Sequence, residues 1–580
     1  MRLFIYALMV LLCSVAAVAQ VGHMRLLAVS EQGEQMVGSI ADLTLEIKPG
    51  TGNIFIATSP LTKLDTQIST RFANEIACKE LQVDCSRFDF FYTISSSSAI
   101  VGGPSAGGAI AVLTAAMLAK ATINQSISMT GTINAGGLIG PVGGIKEKIE
   151  VAGQNGISAV LIPKGERRVN ATNRTVDLVE YGEAIGVHVI EVSRLDQALE
   201  AFTGKPFIKA PKALNIAPMY AEVMRSLAYD LCNRTEDIKG KITVVTNLTN
   251  YSYQLGLNLS EKGNAEIDNQ SYYSAASFCF GANVRFRYAM INATSAELQR
   301  LMEITQRAIA MKERDVKAKG YSTVTDLQAY LAVNERITEA FDHLEDARKA
   351  IDINNTDNAA FSLAFAMERL YSASSWGAFF GKGGRSFILD KDIVTASCAT
   401  KLREAEERYQ YVLLFLPQSL EDTKRDLSRA RADASSGDVE LCLYRASKAK
   451  AEADLVLTML GLDQSQVDSL LAERLELSRQ SIAEQQDNGV FPILGYSYYE
   501  YAKSLRGSDP YSAFLYSGYA LEMSNLDLYI SPKRRQVFLP ADDQVPFFSG
   551  VAFGIAAGIL IALTLVWLTR KKGRAQGKKR

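Results

Sequence analysis

Histidine is nearly absent from this chain: among 580 residues there are only His23, His188 and His343. None sits in a recognisable Ser-His-Asp motif, so a serine nucleophile here would need another base. No CxxC pair and no Cys/His cluster with zinc spacing occurs. A complete phosphate-binding loop is missing too. The nearest string, GAFFGKGG from Gly377, is one residue short between its glycines and has Gly383 where a magnesium-binding hydroxyl would stand. Net charge is also lacking, since 62 Lys and Arg offset 63 Asp and Glu, and no electrostatic footprint for nucleic acid results. Folded domains remain, and with 48% hydrophobic residues and this length there is room for several.

The chemistry-bearing stretch runs from Gly102 to Lys148. It opens with GGPSAGG around Ser105 and closes with PVGGIKEKIEVAG. A serine hydroxyl is a weak nucleophile until a base takes its proton, and a lysine can serve where histidine is lacking. The small residues around Ser105 permit a tight turn and close approach of a carbonyl. Ala106 to Lys120 reads as an apolar, Ala-rich helix, which places Ser105 at or near its N-cap, where backbone N–H groups favour an oxyanion. Pro104 has no N–H, so the donors fall to Gly103 and Ser105. Two lysines compete for the role of base. Lys148 has Ile145, Val151 and Ala152 at helical offsets, whereas Lys146 has Ile149 and Glu150. Lys148 is therefore expected on the buried face, its pKa lowered from about 10.4 toward neutrality. Lys146 is expected in solvent, paired with Glu150. A lone GPSAG string is otherwise a helix-capping turn, and a lysine at a helix start is otherwise merely solvated.

GGPSAGG followed by MTGTINAGGLIGPVGGIKEKIEVAGQNGISAVLIPKG resembles the proteolytic domain of the Lon protease family over roughly residues 22 to 205. The resemblance implies Ser105 as nucleophile, Lys148 as its base and Thr130 as an auxiliary to the lysine. It also implies assembly into a hexamer and hydrolysis of polypeptide substrates without a cofactor. Two departures stand out: Gly102 replaces the acidic residue many members carry, and Thr132 replaces the glutamate of their MTGE motif. The ATP-driven motor of the larger members has no counterpart here, so flexible or already unfolded segments are the expected substrates.

The fold class expected is multi-domain: a mixed α/β Lon-like proteolytic domain, a mainly α-helical region and a C-terminal transmembrane helix. Residues 1–19 have the basic start, apolar core and small-residue end of a secretory signal peptide, with an uncleaved anchor as the alternative. The proteolytic domain is assigned to 20–205. Within it, Leu64 to Leu81 reads as a helix, Phe88 to Ile94 as a strand and the serine run Ser95 to Ser98 as a loop. Ala159 to Ile162 and Val187 to Val192 read as strands, and Leu195 to Phe202 as a helix capped by Ser193. Residues 206–218 form a proline-bearing linker. A small mixed module, strand-containing around ITVVTNLT, is expected at 219–295.

Helical hairpins are expected at 296–535. Three segments there repeat a polar turn with an aspartate (Asp357, Asp438, Asp509) before a helix rich in small and aromatic residues. Stacked hairpins would offer a surface for a protein partner; an ordinary bundle is the alternative. Residues 547–569 are uncharged, apolar and long enough to span a bilayer, and the basic tail 570–580 orients them with the tail cytoplasmic and residues 20–546 outside. The dense N-x-S/T sites, among them Asn170, Asn233 and Asn247, and an even number of cysteines after Cys13 suit an exported chain. Sequential pairing, 78 with 85, 232 with 279 and 398 with 442, keeps each disulfide within one region.

The reading that follows is a membrane-anchored serine endopeptidase using a Ser105–Lys148 dyad. Its rival is a non-catalytic surface scaffold on a degenerate peptidase domain, and a narrower one is self-processing.

Overall fold

The computed structural model describes residues 20–524 apart from 33–34, 63, 82, 102–103, 172–173, 208–211, 292, 388, 417–419 and 462–466. The expected signal peptide, transmembrane segment and basic tail lie outside the described residues. Among the described residues no helix is long and apolar enough to cross a membrane.

The chain begins with β1 (Gln20–Gln32), β2 (Gln35–Pro49), β3 (Ile54–Thr62), helix α1 (Leu64–Glu80) and β4 (Phe88–Val101). These strands form one sheet in the order β1-β2-β4-β3, with β3 parallel to β4 and the other pairs antiparallel. The serine run expected as a loop is part of β4: Ser95 pairs with Asp42 on one side and Ser59 on the other. Ladder bonds use backbone groups alone, so a central strand carries small polar side chains without losing a bond.

Helix α2 (Gly107–Leu118) follows, with every residue from Gly107 to Met117 buried. A helix apolar all round must be enclosed, and this one packs on α1, β1 and β2. Tyr92 and Thr114 meet there, the phenol and hydroxyl 2.8 Å apart, and Asn74 donates to the same phenol at 2.9 Å. The buried polar atoms thereby satisfy one another. Next come β5 (Ile127–Met129), β6 (Thr132–Ile133), β7 (Ile139–Gly140), α3 (Ile145–Gln154), β8 (Ala159–Pro163), β9 (Arg168–Ala171), β10 (Arg174–Asp177), α4 (Leu178–Ala184), β11 (His188–Val192) and α5 (Leu195–Thr203). Strands β11, β8 and β5 make a parallel sheet, against which Ile149 and Ala152 of α3 are buried.

Ser193 is not the cap of α5. Arg194 holds that position without a side-chain bond, while the Ser193 hydroxyl donates to Glu473 of the helical region.

The remainder is helical: α6 (Pro218–Gly240), α7 (Asn247–Asp268), α8 (Tyr272–Met290), α9 (Ser295–Lys319), α10 (Val324–Asp352), α11 (Thr356–Trp376), α12 (Lys391–Phe415), α13 (Glu421–Ser436), α14 (Val439–Gly461), α15 (Val467–Asp487), α16 (Ile493–Leu505) and α17 (Pro510–Ser524). The small mixed module expected at 219–295 is therefore corrected to helices α6 to α8. Its β-branched run ends in a capping box, where Thr246 and Thr249 exchange side-chain bonds at the start of α7, and Val244 stays 69% exposed. Among the described residues no strand offers that run a ladder, so local capping wins over β propensity.

Helices α11, α14 and α17, which follow the three aspartate-bearing turns, each pack against the helix before them. Disulfides join Cys78 to Cys85, Cys232 to Cys279 and Cys398 to Cys442, the sequential pairing.

Candidate active site

Ser105 is half-buried in a single 3-10 turn, Pro104–Ala106, immediately before α2. Gly107 and Gly108 come next, and their lack of side chains has a specific use. A Cβ on Gly107 would lie 3.2 Å from the Ile133 backbone nitrogen, and one on Gly108 would lie 3.0 Å from the Gly131 carbonyl oxygen. The glycines let the start of α2 press directly on the segment 129–133. Two backbone bonds seal that contact. Gly131 N–H donates to the Ser105 carbonyl at 3.0 Å, and Gly108 N–H donates to the Gly131 carbonyl at 2.9 Å.

Lys148 reaches the same segment from the other side. Gly144, in the left-handed region at φ +65°, turns the chain into α3. The first turns of that helix bury Ile145, Lys148, Ile149, Val151 and Ala152 together. The Lys148 side chain is among the largest fully enclosed in the protein, 2% exposed, and its Nζ donates to Thr130 Oγ1 at 3.0 Å. Lys146 turns outward and pairs with Glu150 at 2.7 Å. Helical spacing thus separated the two lysines as expected.

Ser105 and Lys148 therefore meet on consecutive residues: Thr130 carries the amine and Gly131 carries the serine backbone. Among the described residues no hydrogen bond runs directly between Ser105 Oγ and Lys148 Nζ. Gly103, expected as an oxyanion donor beside the Ser105 N–H, lies outside the described residues, as does Gly102.

Burial weakens the amine's hold on its proton. Burial pushes Lys148 down to about 8, against the opposing attraction of Glu166 and Glu147. Burial likewise pushes the Glu166 carboxyl up to about 8, and Lys148 partly counters the rise. Glu166 was not picked out from the sequence, although it follows directly on the VLIPKG strand end. A signal existed, because that position closes the last motif of the pattern. Thr132 is buried in β6 and receives a hydrogen bond from Asn134 Nδ2 at 3.3 Å, so a neutral pair occupies the ground of the missing glutamate.

A buried amine with a lowered pKa, a half-buried serine at a helix start and a shared supporting segment are the groups that proton abstraction and acyl transfer require. Comparison with known proteins bears on the same residues. Residues 17–201 match the family of the Lon protease (S16) C-terminal proteolytic domain. The chain is similar to the archaeal Lon protease of Archaeoglobus fulgidus, 30% identical over 182 residues, which are 31% of this chain and 28% of that protein. It is also similar to the Lon protease of Paraburkholderia phytofirmans, 37% identical over 89 residues (15% of this chain, 11% of that one). With the Lon protease of Rickettsia conorii it shares 32% over 125 residues, 21% of this chain and 15% of the relative. The matched part thus spans under a third of each of these relatives.

Proposed function

We propose, for a chain whose residues 17–201 belong to the Lon (S16) proteolytic-domain family, a serine endopeptidase that works without ATP and is anchored to a membrane. The observation that carries this reading is the enclosed Lys148 amine on Thr130, one residue from the Gly131 amide that holds Ser105. Lys148 Nζ accepts the Ser105 Oγ proton as that oxygen attacks a peptide carbonyl. Backbone N–H groups at Gly103 and Ser105 stabilise the resulting oxyanion. The tetrahedral adduct collapses, the C–N bond breaks and Lys148 returns the proton to the leaving amine. Water, activated by the same amine, then releases the acyl group. Thr130 orients the amine by accepting one of its hydrogens.

Residues 1–19 direct export, 547–569 span the bilayer and 570–580 stay in the cytoplasm, which puts the site outside. Disulfides at three sites support an oxidising surrounding. Polypeptides with flexible or unfolded segments are the substrates, and a hexamer is the assembly proposed by likeness to the family.

The test is labelling of the full chain with a fluorophosphonate, read by intact mass, beside hydrolysis of casein or a fluorogenic peptide. Wild type should react at Ser105, while Ser105→Ala and Lys148→Met should neither react nor hydrolyse. Retained turnover in either variant refutes the dyad.

One observation favours the scaffold reading. The helical region holds a half-open cavity of about 810 Å³ whose lining includes Tyr273, Trp376, Tyr498, Tyr516, Lys448 and Asp426. Aromatic and charged walls of that size suit a partner's side chains. An unreactive Ser105 with retained partner binding would decide for it.

A further inference from the structure

Among the contacts of the helical region with the proteolytic domain, one is made by a buried cation beside the candidate active site. Lys450 on α14 is 2% exposed, and its ammonium makes three hydrogen bonds: to Asp454 at 2.9 Å, to Glu522 at 2.9 Å and to Asn134 Oδ1 at 3.1 Å. The first two partners belong to the helical region. The third is 316 residues away in sequence, two residues beyond Thr132.

Burial opposes the charge on Lys450, but Asp454 and Glu522 outweigh it and keep the ammonium above the ordinary lysine range. The two carboxylates, shared with Arg408 and Lys401, supply its charge partners. Its remaining N–H is spent across the domain boundary on a neutral amide, which adds direction rather than charge balance.

Asn134 relays that contact. Its Nδ2 donates to Thr132 Oγ1, and its backbone N–H donates to the Leu138 carbonyl at 2.8 Å. Gly140 makes room for the relay, because a Cβ there would stand 2.3 Å from Asn134 Nδ2 and 2.5 Å from Thr132 Oγ1. Thr132 adjoins Gly131 and Thr130, the residues that carry Ser105 and Lys148.

A second anchor acts nearby. Glu473 on α15 accepts from Lys164 and from Ser193, at the ends of the parallel strands β8 and β11. Lys164 also donates to Ser469 at 3.2 Å. Lys164 lies two residues before Glu166, whose carboxyl acts on Lys148.

We propose that Asn134 and Lys450 are positioning residues through which the helical region holds the Thr130–Asn134 segment in the geometry that Ser105 and Lys148 need. The proposal rests on the peptidase reading for its catalytic consequence. Its structural consequence does not depend on that reading. Without the Lys450 contact, Asn134 loses its outer partner, the Thr132 bond loosens and the Gly131 amide opens from the Ser105 carbonyl more often.

The experiment compares the full chain with its Asn134→Ala, Asn134→Asp and Lys450→Met variants. Arg445→Ala serves as a control on the same helix as Lys450 that breaks an ion pair with Asp433 inside the helical region. Three quantities are read: hydrogen exchange of the Gly131 amide, the maximal rate and half-saturation of Ser105 phosphonylation, and Tm. Asn134→Ala is expected to speed Gly131 exchange and slow maximal phosphonylation, each at least tenfold, with half-saturation unchanged. Asn134→Asp keeps an acceptor for Lys450 and, with the Thr132 hydroxyl turned to donate to its carboxylate in place of the lost Nδ2 bond, should recover both to within about threefold. Arg445→Ala should move Tm without moving either rate.

Unchanged Gly131 exchange in Asn134→Ala overturns the link, whatever the serine does, and so does an Asn134→Asp variant as impaired as the alanine. If wild type fails to react at Ser105 yet Gly131 exchange responds as stated, the peptidase reading falls and the link stands. Should Lys450→Met fail to fold, the two Asn134 variants still decide.

Discussion

Replacing Glu166, the acidic neighbour of Lys148, gives the sharpest test of the base. With Lys148 near 8, about a tenth of the amine is neutral at pH 7. At the ordinary lysine value of 10.5 the fraction would be about one in three thousand, so burial supplies roughly a 300-fold gain in active base. The rate constant for Ser105 phosphonylation at low reagent, followed by intact mass, should therefore rise about tenfold per pH unit up to a midpoint near 8 and then level off. Glu166 attracts the ammonium and opposes the drop. Because the Glu166 carboxyl itself ionises only near 8, its pull is felt around the midpoint, and Glu166→Gln should move that midpoint to lower pH. Thr130→Val, which removes the acceptor of the Lys148 hydrogen bond, should cost about tenfold at the plateau. A rate that is flat from pH 6 to 9, or a midpoint that moves upward in Glu166→Gln, would refute the reasoning.

Stability should respond with its own sign. Between about 8 and 10.5 the unfolded lysine holds a proton that the folded Lys148 has lost, so the folded state gains stability as pH rises through that window. Below it the burial penalty is fully present. Lys148→Met is therefore expected to raise stability at pH 7 by up to about 3 kcal/mol and to lose that advantage above pH 10.5, as denaturant titrations would read. Gly140→Ala should slow phosphonylation at least tenfold, because its methyl group must displace Asn134 or Thr132; a wild-type rate would show that their contact is dispensable. Replacing Cys398 and Cys442 by serine should lower stability by about 2 to 4 kcal/mol, given the separation of 44 residues, and non-reducing peptide mapping should recover that pair in the wild type.

Much of the site was open to inspection in one dimension because its determinants are local. The offsets of Ile145, Val151 and Ala152 decide which face of α3 Lys148 takes, and the turn around Pro104 puts Ser105 at the head of an apolar helix. Cysteine order sufficed for the disulfides, since each bond closes within its own region. Where local signals competed with a neighbour's offer, sequence order misled. Ser95 looks like part of a loop until β2 and β3 supply ladders on both sides, with Ser96 paired to β2, and the run before Thr246 looks like a strand although among the described residues no partner strand meets it. Ser193 looks like a helix cap until Glu473 claims its hydroxyl.

By itself the sequence determined the candidate nucleophile, the candidate base and the helix that buries Lys148, since each depends on residues within a few turns of one another. Only the tertiary structure decided what those groups rest on. Thr130 and Gly131 become a shared support when α2 and α3 close on them, and Lys450 reaches Asn134 across 316 residues. No pattern along the chain encodes such a contact, because a buried ammonium takes whichever acceptors the packing brings within about 3 Å.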